Sequence, residues 1–169
     1  MRAWALMLSL MMLAGAGCRR GEAPRPAGPP APPSTSAQAV YQSDEAGFRF
    51  ALPASWQGGY RVDAKHGDAA RAVQPGADHV VTFFYVPLAA GAHDEPLLRL
   101  MVLPRSQWTA LSNQSGPPAG TVVSDRADRV YLASVPANNP YGAGTPDGRR
   151  FADMMPSIDE VRRQLTLRP

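Results

Sequence analysis

A single cysteine, Cys18, and a single lysine, Lys65, stand in a chain of 169 residues. One cysteine cannot form an internal disulfide, so the fold must stand on its core rather than on crosslinks. Charged residues make up only 18% of the chain, below the ordinary share of about 25%. No apolar run reaches the ~20 residues that a bilayer-spanning helix needs. Heptads and a Gly-X-Y period are absent as well. These shortages exclude a disulfide scaffold, a polytopic membrane protein, a coiled coil and a collagen. The shortage of lysine beside 16 arginines reads as a G+C-rich genome rather than a functional choice. Against these stand a 44% hydrophobic content, which argues against a wholly disordered chain, and 18 prolines. The length fits about one domain.

The net charge of +3 and the pI of about 9.4 invite a nucleic-acid reading until the charges are located. Arg2, Arg19, Arg20 and Arg25 against Glu22 carry the whole excess, leaving 13 basic and 13 acidic residues in 38–169. A neutral domain lacks the electrostatic footprint that phosphate binding requires, so no nucleic-acid partner is expected.

Residues 1–17 read as a targeting signal. Met1 and Arg2 give a short positive start, and Ala3–Gly17 is apolar or small apart from Ser9. That pattern fits a secretory signal peptide. Its end, Leu13-Ala14-Gly15-Ala16-Gly17-Cys18, resembles the bacterial lipoprotein signal, in which the cysteine is acylated and becomes the mature N-terminus. The resemblance implies a membrane partner reached through acylated Cys18. It implies three chains on that residue, which suffices for stable attachment where one holds only marginally. Arg19, rather than aspartate, follows the cysteine, and by analogy with enteric lipoproteins this points to the outer membrane, facing the periplasm.

Six of the 19 residues in 19–37 are proline and none is a large apolar residue. Such a stretch cannot offset its ordering entropy by burial. It reads, with Cys18, as a polyproline-like tether (18–37) that reaches roughly 60 Å at ~3.1 Å per residue. A ligand for a proline-recognition groove is the alternative. Asn113-Gln114-Ser115 matches a glycosylation acceptor, which a bacterial signal makes irrelevant.

Residues 38–169 read as a single domain, long enough to bury roughly two thirds of its unfolded surface. Strands are expected at 39–42, at Phe48–Leu52, where Phe48, Phe50 and Leu52 share a face, and weakly at 60–63. A turn joins the first two at 44–47. The nearly continuous apolar runs 80–86 and 97–103, the second interrupted by Arg99, fit central strands covered on both faces. Later strands fall at 121–123 and 130–135. Helices are expected at 106–112 and 149–155, and from Ser157, whose Ser-Ile-Asp-Glu start is a capping box, through Leu165. Ile158, Val161 and Leu165 form its apolar stripe. The fold class is α+β, a largely antiparallel sheet packed with a few short helices.

Tyr41, Gly47-Phe48-Arg49-Phe50 and Pro53-Ala54-Ser55-Trp56 resemble the opening hairpin of PsbP-like proteins, which share an α+β sandwich with a yeast nuclear-import factor. Pro96–Trp108, Tyr131–Tyr141 and Phe151–Leu165 resemble uncharacterised secreted lipoproteins of bacteria. The resemblance implies a fold and a location, with no agreed activity and no catalytic residue to carry over.

The chemical candidates are sparse. His93-Asp94-Glu95 offers metal-ligand types, but adjacent residues project in different directions and real sites draw ligands from several segments. His66 with Asp68, and Asp78 with His79, share that weakness. There is no G-x-S-x-G elbow, and Gly142-Ala143-Gly144 between prolines is not a phosphate loop. No metal or other cofactor is implied. The most suggestive surface is Pro136-Ala137-Asn138-Asn139-Pro140-Tyr141, where Asn138, Asn139 and Tyr141 offer amides and a ring to a sugar or peptide. Ordinary turn geometry is the plainer reading. Trp56 and Tyr60, around Gly58-Gly59, form a second candidate ligand surface, with core packing as its plain alternative. The chain therefore reads as an envelope lipoprotein whose domain is a non-catalytic interaction or accessory module for an envelope protein partner. The alternatives are a binder of small ligands such as cell-wall fragments, and a hydrolase whose site would gather two of His66, His79 and His93 beside a carboxylate.

Overall fold

The computed structural model describes residues 38–115 and 118–168. The signal, Cys18, the proline-rich stretch and part of the turn at Ser115-Gly116-Pro117-Pro118 lie outside the described residues. Within them the domain is α+β, with two antiparallel sheets and four α-helices.

A hairpin opens the domain. β1 (Val40–Ser43) and β2 (Phe48–Ala51) pair through Val40↔Ala51 to Ser43↔Phe48. Gly47 closes the turn between them at φ +72°, a left-handed backbone that favours glycine. A 3-10 turn at Ala54–Trp56 leads to β3 (Tyr60–His66), which is longer than the weak strand expected. α1 (Gly67–Val73) follows, an element the sequence pattern did not announce. β4 (His79–Tyr85) and β5 (Glu95–Pro104) complete an antiparallel meander with β3. α2 (Arg105–Ser112) then crosses to β6 (Thr121–Asp125) and β7 (Arg129–Ser134). The large sheet has the order β3-β4-β5-β7-β6.

The apolar runs of β4 and β5 are central strands, buried on both faces. Val81, Phe83 and Tyr85 point to one core with Leu98, Leu100, Phe48 and Phe50, between the two sheets. Val80, Met101, Leu103 and Leu132 point to the other, covered by Ala70 of α1 and by Trp108 and Leu111 of α2. Alternation along a strand delivers both sets from one stretch of sequence.

The C-terminal part departs from expectation in two places. α3 (Pro146–Met154) begins three residues before Arg149, because Thr145 caps it: its Oγ1 accepts from Gly148 N at 2.9 Å, and Pro146 occupies the first turn, where its missing N–H costs nothing. α4 (Ile158–Gln164) has the expected capping box, with Ser157 Oγ accepting from Glu160 N and Glu160 accepting from Ser157 N at 2.7 Å. It ends at Gln164, and Leu165 belongs instead to β8 (Leu165–Leu167), which pairs with β2. Only Val161 of the proposed stripe is fully buried within the helix.

Candidate functional site

The segment 134–147 and the loop 86–94 meet beside the N-terminus of α3. A buried carboxylate joins them. Asp147 accepts from Tyr85 Oη at 2.6 Å, from Leu88 N at 2.6 Å and from Ala89 N at 3.1 Å. These hydrogen bonds, led by the one from Tyr85, hold its pKa below the usual carboxylate range. Burial, followed by the bond to Asp147, pushes the Tyr85 phenol well above its ordinary value. The carboxylate fixes the start of the loop, which carries Leu88 outward at 59% exposure beside Val86 at 37%. Sequence reasoning missed Asp147 because it placed the helix start at Arg149. The signal was there in Thr145-Pro146-Asp147, a cap, a first-turn proline and a first-turn acid.

Asn139 and Tyr141 serve this same junction. Asn139 Nδ2 donates to Gly148 O at 2.7 Å and its Oδ1 accepts from Tyr141 N at 3.0 Å, the side-chain turn expected of asparagine. Both ends of its amide are thus engaged within the chain. The Tyr141 ring stands edge-on to Tyr85 and Phe151, with centroids 5.2 and 5.4 Å away. Its hydroxyl donates to His93 O at 2.6 Å. Burial, aided by Glu95, Asp147 and Asp94, pushes that hydroxyl up to about 12. Tyr141 remains half-buried, and its outer edge closes an open hollow of about 650 Å³ with Leu88, Ala92, Pro140 and Pro146.

Asn138 is separate from them. It is exposed and lines a smaller cavity of about 240 Å³ with Glu95, Arg99, Ser134 and Phe151. Trp56 corrects the second expected surface. It is fully buried against Phe50 and Phe83, and its Nε1 donates to Met154 O at 2.7 Å, so it offers nothing to a ligand at the surface. Tyr60 is half-buried and packs 5.9 Å from Trp56, centroid to centroid. An indole this large gains more from the core than a surface patch would return.

The histidines divide. His66 and His79 face each other across β3 and β4, and His66 Nδ1 lies 3.9 Å from Glu45. Both His66 and Glu45 are largely exposed, and burial lowers the His79 pKa. His93 lies elsewhere, in the loop beside Tyr141, while Asp94 pairs with Arg61. Among the described residues no group of three His, Cys, Asp or Glu is placed to hold a metal ion. None of the described helices is long and apolar enough to cross a membrane. No family model matches the chain, and comparison with curated proteins and with solved structures gives no match.

Proposed function

We propose that the protein is a lipid-anchored lipoprotein of the bacterial cell envelope whose domain docks an envelope protein partner without catalysing a reaction. The observation that carries the docking is the Leu88 loop. A carboxylate engaged in three hydrogen bonds fixes the shape of the loop that follows Tyr85. The loop that Asp147 holds presents an exposed leucine near its start, next to a hollow walled by Ala92, Pro140, Tyr141 and Pro146. A rigid apolar prominence beside an apolar hollow is the shape of an interface core, ordered before the partner arrives.

The anchor supports the same reading. Acylation of Cys18, a tether over 18–37 and a domain from residue 38 would hold the start of the domain within roughly 60 Å of the membrane, on the periplasmic side of the outer membrane. By the same proposal, the domain is a PsbP-like sandwich that begins with the β1–β2 hairpin. The β1–β2 hairpin packs Phe48 and Phe50 against the large sheet, with helices α1 and α2 on its far side, an arrangement that suits a sandwich of that kind.

Crosslinking in native envelopes tests the docking. A photoreactive residue at Ala89 is expected to capture a discrete partner, and Leu88→Asp is expected to reduce capture at least roughly tenfold. Capture that is unchanged by Leu88→Asp would remove the docking face. The second reading, a small-ligand binder, is favoured by the Asn138 cavity.

A further inference from the structure

Arg99 occupies the middle of β5, opposite Thr82 on β4 and Ser134 on β7. Its neighbours Leu98 and Leu100 are buried in the core. Arg99 itself is half-buried and turned to the face opposite them, and a guanidinium nitrogen shut off from water there is ordinarily hydrogen-bonded. Here the Nε is buried and has no hydrogen-bond partner. The carboxylate closest along its own strand, Glu95, makes no ion pair with it among the described residues.

The topology explains the opening beside it. The β5–β7 ladder stops at Arg99↔Ser134, while β5 begins four residues earlier at Glu95. Beyond Ser134 the chain leaves the sheet through Val135 and Pro136. The gap is the cavity of about 240 Å³, in which Arg99 meets Glu95, Ser134 and Asn138 on polar sides, with Phe151 and Pro96 among its apolar walls.

We infer that this cavity binds a monocarboxylate with a compact apolar body, its carboxylate held by Arg99. This deepens the small-ligand reading and is independent of the Leu88 face. The planar guanidinium matches a carboxylate in two parallel hydrogen bonds. Glu95, which also lines the cavity, opposes a doubly charged anion such as phosphate more strongly than a singly charged carboxylate. Phe151 and the prolines favour an aliphatic group over a bare ion. The volume lies below the roughly 300–1,000 Å³ of sites for drug-sized ligands, which sets the size of the occupant.

The test is calorimetric titration of the full-length acylated protein, in detergent, with isovalerate, leucine and inorganic phosphate. Isovalerate is expected to bind saturably, and phosphate at least roughly tenfold more weakly. Leucine adds an ammonium to the same body. Tighter binding of leucine would assign the site to free amino acids, with Glu95 facing the ammonium, and weaker binding would assign it to simple acids. Arg99→Met keeps the aliphatic stem and is expected to abolish binding. Asn138→Trp, at an exposed loop position, is expected to block the cavity without touching the core. Absence of isovalerate and leucine binding, binding that survives both variants, or phosphate binding as tight as isovalerate would overturn the inference. Partner capture through Ala89 should persist in Arg99→Met, so loss of the carboxylate site would leave the docking reading standing.

Discussion

Trp56 and Asp147 show how a single side chain can look functional and act structurally, or the reverse. Trp56 sits in an aromatic cluster with Phe50, Phe83 and Tyr60 and bonds to Met154 O. Trp56→Ala is expected to cost about 3–5 kcal/mol in urea unfolding, the range for deleting a large buried aromatic. Asp147 makes its claim through pH. Its folded pKa lies below the unfolded value of about 3.9, so the native state binds fewer protons than the unfolded chain around that pH. The stability it contributes is present above the unfolded value and is lost as pH falls through the depressed folded one. Glu160, held low by its bonds to Ser157, acts with the same sign. Melting temperature is therefore expected to fall in acid, and Asp147→Asn should be less stable at neutral pH with a shallower acid decline. An equal acid slope in both proteins would show that Asp147 is not among the groups responsible. Residue types alone left these roles undecided, because burial and partners come from segments far apart: Trp56 meets Met154, and Asp147 meets Tyr85 and Leu88.

Elements written in local signals were legible, and those written in long-range pairing were not. The capping box of α4 needs only Ser157 and Glu160, and it is present as read. Ser157→Ala is expected to cost about 1 kcal/mol, measured by chemical denaturation, with Glu160→Ala adding little in the double variant because the two close one box. The central strands β4 and β5 declared themselves through apolar runs, and the hairpin through alternation and Gly47. β8 did not. Leu165 follows Val161 at helical spacing, so the pattern continued a helix that the pairing Phe48↔Leu167 and Phe50↔Leu165 converts to a strand. α1 is small and polar, GDAARAV, with Ala70 alone buried, and left no stripe to read. The start of α3 was missed for a related reason: Gly148 is buried where a Cβ would collide with Gly142 O, so its glycine marks close packing inside a helix rather than a loop.

At the scale of the whole molecule, the described residues form two sheets and their helices in an α+β arrangement, with the Leu88 loop, the Arg99 cavity and the His66–His79 pair facing outward. The α+β class was legible from strands that dominate early and helices that cluster late. The candidate site was legible in part. The segment 136–141 does border both hollows, yet Asn139 and Tyr141 spend their hydrogen bonds on the chain itself, and Arg99 stood in the sequence as no more than an interruption of an apolar run. A single arginine shows its lack of a partner only when the strands on either side are placed. The central claim remains the tethered envelope lipoprotein, and it turns on Cys18. The most direct measurement is the intact mass of the protein purified from cell envelopes, with its distribution between membrane and soluble fractions, for wild type and Cys18→Ser. The account predicts a wild-type chain that begins at Cys18, carries three acyl chains and stays with the membrane in high salt, and a Cys18→Ser protein that lacks acyl mass and leaves the lipid-anchored fraction. A wild-type chain without acyl mass, or one that fractionates identically to Cys18→Ser, would contradict it.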